Sequence, residues 1–128
     1  FSPLAQGMLT SKYLKDIPEG SRATQGKSLQ DQFLSEENLA TIRDLNAIAE
    51  RRGQTLAQMA LAWVLRNGRV TTALIGASHA AQVIDCVGVI NNLEFTEAGL
   101  QEIEATAKDA NINLWAASAE REGPSRKK

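Results

Sequence analysis

The sequence predicts an α/β fold in which short parallel strands alternate with helices, and three observations support this prediction. Residues 71–75 are apolar or β-branched, which is typical of a short strand buried on both faces. Helical periodicity fills the sequence before this run and resumes directly after it. Residues 1–4 have the character of a strand end, with Ser2-Pro3 already turning. Two parallel strands joined through helices form a βαβ unit.

The first part of the chain is predicted to be mostly loop. Residues 7–14 are expected to form a short turn or helix that ends near Tyr13. Residues 15–34 are polar and lack periodicity. A loop of this length is uncommon inside a compact domain and usually serves as a lid or another functional segment. The charged residues 120–128 at the other end of the chain are expected to be frayed.

Two amphipathic or apolar helices are predicted after this loop. Ser35 is the expected N-cap of the first, which stops at Gly53. Its apolar positions recur at three-residue steps: Leu39, Ile42, Leu45 and Ile48. Thr55 and Gln58 form a capping-box pattern before the second helix, residues 56–66. This second helix is apolar almost all round, so it must be covered on several sides.

Two further helices are predicted after the strand at residues 71–75. The first covers residues 79–90. Thr96 is the expected N-cap of the second, residues 97–108. The inner stripe of this last helix is predicted to consist of Leu100, Ile103 and Ala107.

Composition excludes several classes of function. The chain has 128 residues, 43% of them hydrophobic, and a formal charge of −1, so no global field points to nucleic acid or a membrane surface. The single cysteine, Cys86, excludes an internal disulfide and a multi-cysteine metal site. It is compatible with a reducing cytoplasm, and no signal-peptide or membrane-spanning pattern is present. We therefore expect a cytoplasmic protein without a metal site, and the start at Phe1 suggests a piece of a longer one.

Residues 75–82 join the predicted strand 71–75 to the helix that follows. Gly76 and Ala77 would let an anion approach the main chain, and the helix N-terminus would offer unpaired N–H groups. Ser78 could cap the helix or donate a hydrogen bond to a phosphate. The alternative is a purely structural turn, in which glycine and serine only end one element and begin the next.

Several motifs, in this order along the chain, resemble those of the aldo-keto reductases: residues 1–13, Ile17-Pro18, Ser21-Arg22, residues 57–65 and residues 75–82. Within that superfamily the chain looks most like the bacterial L-glyceraldehyde 3-phosphate reductase type, and next like the voltage-gated potassium channel β subunits. Residues 113–118 resemble the tail of the former group.

The resemblance implies that residues 1–128 are the C-terminal part of a single (β/α)8 TIM barrel domain. This part would hold the last two strands with their helices and the C-terminal helix. The loops after the last two strands of such barrels frequently bind phosphate. Residues 15–34 would then be the loop that closes over the cofactor.

The resemblance also implies an NADP(H) site. The residues on its nicotinamide and pyrophosphate side would be Phe1, Ser2, Leu4, Ala5, Gln6 and Gly7. The Phe1 ring would pack against the nicotinamide, and Lys12 and Arg22 would be the cations of the closing loop. Without the resemblance, Phe1 is better explained as a strand-end core aromatic, and the two cations as solvated side chains.

The adenosine side of the cofactor is implied to lie at the later turn. The residues around its 2′-phosphate would be Gly76, Ala77, Ser78 and Gln82. Asp85 stands where the family commonly has Glu, and Cys86 where it commonly has an Asn that recognises adenine. Losing that amide removes hydrogen bonds to the base. His79 occupies a variable position, and a capping or exposed imidazole is the favoured interpretation.

The implied function is NADPH-dependent reduction of small aldehydes or ketones. The family's proton-donating Tyr, with its Lys, Asp and usually His, lies on earlier strands, and neither Tyr13 nor His79 stands in the matching context. No catalytic residue is therefore assigned on this chain, and the expected partners are a carbonyl substrate and the N-terminal part of the barrel. A second subunit against residues 56–66 is an alternative, whereas burial of this helix inside the barrel layer is the simpler explanation. A regulatory NADP(H)-binding subunit and an inactive truncated fragment are the alternatives, and residues 113–118 favour the enzyme.

Overall fold

The computed structural model describes residues 3–11, 14 and 35–107 of the chain. Within these ranges the regular elements are helical. Four α-helices are present, α1 (Glu36–Arg51), α2 (Leu56–Leu65), α3 (Ala80–Val87) and α4 (Glu97–Thr106), together with two 3-10 turns, Ala5–Gly7 and Gly88–Asn91. The predicted loop 15–34 and the predicted frayed end 120–128 lie outside the described residues.

The first two helices confirm the predicted capping residues. The Ser35 hydroxyl accepts a hydrogen bond from the Asn38 amide at 3.3 Å and begins α1. At α2, the Thr55 hydroxyl accepts from the Gln58 amide at 3.2 Å, and the Gln58 side chain accepts from the Thr55 amide at 3.2 Å. This reciprocal capping box satisfies two donors that a helix start otherwise leaves unpaired.

Glycine in the left-handed region follows each of these helices. Gly53 lies after α1 with φ +69°, and Gly68 lies after α2 with φ +68°. Glycine adopts this conformation without the steric cost that a Cβ imposes, so it allows the chain to leave the helix. The predicted stop of α1 at Gly53 is thus confirmed, whereas α2 ends at Leu65, one residue earlier than predicted.

The later helices are shorter than predicted. His79 is the N-cap of α3, and after Val87 the chain tightens into the 3-10 turn instead of continuing as α-helix to residue 90. In α4, Thr96 caps the helix as predicted, by accepting from the Gly99 amide at 3.0 Å. Ala107 was expected in the inner stripe, but its ψ of 72° is not helical, and its side chain is exposed beyond the helix end.

The two predicted strands are not present as strands in the described residues. Residues 3–4 form a turn, and residues 71–75 carry no ladder hydrogen bonds. A strand requires a neighbouring strand to pair with, and the described ranges supply none to either run. The side chains of residues 73–75 still alternate, because Ala73 and Ile75 pack inward while Leu74 is 75% exposed.

The core consists of two clusters that meet along α2. The first cluster joins α1, α2 and α4 and contains Met8, Leu39, Ile42, Leu45, Ile48, Ala49, Leu56, Met59 and Ile103. The second cluster lies between α2 and α3 and contains Leu61, Ala62, Cys86 and Val89. Helix α2 is therefore covered on more than one side, as its apolar composition predicts.

Six large apolar side chains of the described residues are exposed to solvent. We use the name exposed apolar face for this set, which consists of Val70, Leu74, Val83, Ile84, Val87 and Ile90. Three of them, Leu74, Ile84 and Ile90, are each at least 69% exposed. None of the helices in the described ranges has both the length and the apolar character that crossing a bilayer requires.

Candidate cofactor-binding site

The turn before α3 carries donors that converge on one acceptor. The Ser78 amide donates to Gln82 Oε1 at 2.8 Å, and the Ser78 hydroxyl donates to the same oxygen at 3.2 Å. The Ser78 hydroxyl also lies 3.1 Å from His79 Nδ1. Because Ser78, His79 and Gln82 are all exposed, this cluster is open to a ligand from solvent.

The geometry of this cluster suits a phosphate oxygen. Gln82 Oε1 occupies a position where one oxygen receives two hydrogen bonds from Ser78, as an anionic oxygen would. The side chain of His79 leaves the N-cap position of α3 without a capping bond among the described residues. A Cβ added at Gly76 would meet no described atom within 4 Å, so there is open space beside the main chain of the turn. In this geometry both Ser78 donors are taken by Gln82 Oε1, and the phosphate-binding role of the turn stays a prediction.

The first predicted turn has an unusual backbone. Ala5 has φ +47°, a left-handed value that costs energy for a residue with a Cβ, and Gly7 has φ +97°. Hydrogen bonds hold the turn, since the Leu4 carbonyl accepts from the Gly7 amide at 2.9 Å and from the Leu9 amide at 3.2 Å. The Thr10 hydroxyl donates to the Gly7 carbonyl at 2.6 Å. Gln6 lies within this 3-10 turn.

The second cluster connects the two predicted turns. Leu4, at the start of the first turn, packs against it, and so does Ile75, the residue directly before Gly76. Segments more than 70 positions apart in the sequence therefore lie against the same small group of side chains. This arrangement places both candidate phosphate-binding turns on one region of the fold.

Asp85 and Cys86, predicted on the adenine side, both have contacts within the structure, Asp85 half-buried at the start of α2 and Cys86 buried in the second cluster. The Asp85 carboxylate accepts from the Thr55 hydroxyl, which lies 3.1 Å from each oxygen, and from Gln58 Nε2 at 3.1 Å. Gln58 Nε2 also donates to the Asp85 carbonyl at 2.8 Å. Cys86 is 7% exposed, and burial, with a further contribution from the charge of Asp85, raises the pKa of its thiol. Cys86 is therefore enclosed, and the carboxylate of Asp85 is hydrogen-bonded to Thr55 and Gln58.

The fit of the implied cofactor thus differs between its two ends. At the phosphate end, Gly76, Ala77, Ser78 and Gln82 are exposed, and Ser78 supplies donors. At the base end, Asp85 is hydrogen-bonded to Thr55 at the start of α2, and Cys86 packs in the second cluster. Sequence reasoning missed the part that Thr55 and Gln58 play here, because the capping-box pattern accounts for both residues without a distant partner.

The remaining predicted contacts fall outside the residues that the structure describes. These are Phe1, Ser2, Lys12 and Arg22, and the loop 15–34 to which Arg22 belongs. Their roles at the nicotinamide, the pyrophosphate and the closing loop stay predictions.

Comparison with known proteins decides the family. The aldo/keto reductase family profile matches residues 1–108. The chain belongs to the aldo/keto reductase family. It is 46% identical over 125 residues to the L-glyceraldehyde 3-phosphate reductases of Escherichia coli strain K12 and of Escherichia coli O157:H7. Each alignment covers 94% of this chain and 36% of the relative, so the chain spans about a third of the length of these proteins.

Membership of the aldo/keto reductase family confirms the resemblance found in the motifs, including the reductase type that they favoured. It also implies a (β/α)8 barrel, in which α-helices surround parallel strands. The four helices described here are compatible with the outer layer of such a barrel.

Proposed function

We propose that this chain forms the C-terminal, cofactor-binding portion of an aldo-keto reductase that transfers hydride from NADPH to small aldehydes or ketones. It would contribute the last two strands of the barrel, their helices and the C-terminal helix. The observation that carries the proposal is the packing of both candidate turns against the second cluster, through Leu4 and Ile75. Phosphate sites formed by the last two loops are a recurrent feature of this architecture.

The proposed role of the chain is to bind and orient the cofactor. NADPH supplies the hydride, and the proton comes from a residue outside this chain. The Ser78 amide and hydroxyl would donate to the 2′-phosphate, with Gly76 and Ala77 leaving room at the main chain. Residues 4–7 would lie along the pyrophosphate, and Phe1 against the nicotinamide, where a flat apolar ring fixes the reacting face. Asp85 and Cys86 are left out of these contacts because their side chains face α2 and the second cluster.

The proposed substrate is a small phosphorylated or hydroxylated aldehyde. The support is the printed name of the relatives, L-glyceraldehyde 3-phosphate reductase, at 46% identity. We propose that this chain packs against the remaining strands of the barrel. The proposed location of the complete protein is the cytoplasm, and its proposed state is a homo-oligomer. The exposed apolar face is consistent with a partner of this kind.

The test uses the complete protein. Cofactor binding is measured by titrating NADPH and following its fluorescence, and turnover by following NADPH oxidation with glyceraldehyde 3-phosphate and with unphosphorylated glyceraldehyde. We expect saturable NADPH binding, turnover of both aldehydes and a higher kcat/KM for the phosphorylated one. Binding without turnover of any small carbonyl compound would favour the regulatory-subunit alternative, and absence of NADPH binding would refute the proposal.

A further inference from the structure

We propose that Asp85 is a positioning residue, which ties α3 to the start of α2 and thereby holds the Ser78 turn in place. In this role it does not touch the base of the cofactor. The inference rests on the proposed function, because the turn that Asp85 positions is the proposed 2′-phosphate site.

The hydrogen bonds of Asp85 extend the capping box of α2. The Thr55 hydroxyl oxygen accepts a hydrogen bond from the Gln58 amide, and the same hydroxyl donates its hydrogen to the Asp85 carboxylate. Gln58 Oε1 accepts a hydrogen bond from the Thr55 amide, and Gln58 Nε2 donates to the carboxylate and to the carbonyl of Asp85. The donors and acceptors at the start of α2 are thus arranged around one carboxylate on the next helix. These groups are 27 and 30 residues apart in sequence.

Helix α3 depends on this junction because little else holds it. It has eight residues, and Cys86 is the buried one among them. Val83, Ile84 and Val87 are 45%, 73% and 55% exposed, so none of them is buried within the described residues. The hydrogen bonds to Asp85 and the contacts of Cys86 with the second cluster are therefore the main attachments of α3 to α2.

Gly88 makes the close approach possible. A Cβ placed there would lie 2.5 Å from Gln58 Nε2 and 3.3 Å from Gln58 Cδ, too close for the carboxamide to stay where it donates to Asp85. The absence of a side chain at Gly88, directly after the last residue of α3, thus supports the same junction. This contact is independent of the charge on Asp85.

The junction is connected to the proposed site through one turn of helix. Gln82 lies three residues before Asp85, on the neighbouring turn of α3, and its Oε1 holds both donors of Ser78. A shift of α3 along α2 would carry Gln82 with it and displace the Ser78 donors. Losing the Asp85 contacts should therefore weaken phosphate binding without any change at the base.

The experiment is a double-variant cycle on the complete protein. Thr55→Val, Asp85→Ala and the double variant are assayed with NADPH and with the analogue that carries hypoxanthine instead of adenine. We expect each single variant to raise the KM for both cofactors by the same factor, about threefold to tenfold, with kcat changed less than about twofold. The double variant should raise KM no more than the larger single effect, because both changes break one junction. Asp85→Asn and Thr55→Ser retain the oxygen acceptor and the hydroxyl, so they should restore the parent KM.

Thr96→Val is the matched control, since it removes a hydroxyl cap from α4 and leaves the junction intact. It should leave KM unchanged. If Asp85→Ala raises KM for the adenine cofactor alone, and Thr55→Val has no effect, Asp85 contacts the base and the inference is overturned.

A separate readout distinguishes this failure from failure of the proposed function. If the complete protein binds neither cofactor, the proposed function is wrong. The two single variants and the double variant are then compared by their free energies of unfolding in urea. Non-additive losses for Thr55→Val and Asp85→Ala would support the tie between α2 and α3, whereas additive losses would overturn it.

Discussion

Cys86 shows how burial controls the chemistry of a single side chain. Its sulfur lies within the second cluster beside Leu61, Ala62 and Val89. Removal from water disfavours the thiolate, and the negative charge of Asp85 adds to this effect, so the pKa of the thiol is raised. A protonated, enclosed thiol is a poor nucleophile, and Cys86 acts as a small packing residue of α3.

We predict slow modification of Cys86 in the folded protein. At pH 8, reaction with a chromogenic disulfide reagent should be at least about tenfold slower in buffer than in denaturant, because the thiol is both enclosed and protonated. The rate is followed by absorbance on the complete protein, with any other cysteines replaced and Cys86→Ala as the blank. Equal rates in buffer and in denaturant would contradict the buried environment.

The same raised pKa predicts a loss of stability at alkaline pH. In the unfolded state the thiol releases its proton at about pH 8.5, whereas in the folded state it retains the proton to a higher pH. Above that point the unfolded state binds fewer protons than the folded state, so the free energy of unfolding falls as pH rises through the folded pKa. Urea midpoints between pH 7 and pH 10 should therefore fall more steeply with Cys86 than with Cys86→Ala. Parallel profiles for the two proteins would contradict this prediction.

Ser78 is the residue through which cofactor preference can be tested. Removing its hydroxyl in Ser78→Ala deletes one of the two donors aimed at the proposed phosphate. A hydrogen bond to a charged group is worth about 1.5–3 kcal/mol, so the KM for NADPH should rise by about tenfold or more. NADH lacks the 2′-phosphate and serves as the internal control, with little expected change in its KM. An equal loss with both cofactors would place Ser78 elsewhere on the dinucleotide.

At the scale of elements, α2 is the helix on which the others depend. It packs against α1 through the first cluster and against α3 through the second, and its capping box receives Asp85. The ion pair between Arg51 of α1 and Glu102 of α4 is half-exposed, and such pairs contribute at most about 1 kcal/mol. Apolar burial along α2 should therefore dominate the stability of this helical group.

Leu56→Ala tests this dependence. Leu56 is 2% exposed at the start of α2, and truncating a fully buried leucine leaves a cavity. We expect the free energy of unfolding of the complete protein to fall by about 2–5 kcal/mol. Glu104→Ala on the exposed side of α4 is the surface control, with an expected change within about 0.5 kcal/mol. A loss below about 1 kcal/mol for Leu56→Ala would mean that α2 is not central.

At the scale of the whole molecule, the described residues do not explain why the side chains of the exposed apolar face are apolar. Leu74 is 75% exposed, although its neighbours Ala73 and Ile75 pack inward. Alternation of this kind is typical of a strand whose second face is meant to be covered. In the proposed barrel, the remaining strands and helices would provide that cover.

Leu74→Ala measures whether this cover exists. If Leu74 is buried in the complete protein, the substitution should lower the free energy of unfolding by about 2–5 kcal/mol, the range expected for Leu56→Ala. If the side chain stays exposed as it is here, the change should stay within about 0.5 kcal/mol. Urea unfolding of the two variants side by side gives the answer, and the smaller value would contradict the proposed barrel context.

What can be predicted from this sequence depends on how far apart the interacting groups lie. Ser35, Thr55 and Thr96 bond to amides three residues away, so their capping roles were predictable and are confirmed. The strand at residues 71–75 was predicted from composition, but strand pairing needs a partner from elsewhere, and the described chain supplies none. Ala107 was misplaced because the inner stripe of α4 was extrapolated beyond the residue where the backbone leaves the helix.

The sequence by itself determined the family and the starts of α1, α2 and α4, because each depends on local motifs or on residue types at short spacing. The phosphate-binding role of the turn before α3 stays a prediction. Only the tertiary structure decided where Asp85 and Cys86 point, and that Leu4 and Ile75 pack against one cluster. The physical reason is that a side chain 27 or 30 residues from its hydrogen-bond partner leaves no local pattern. Its orientation follows from the packing of α3 on α2, which no short stretch of sequence specifies.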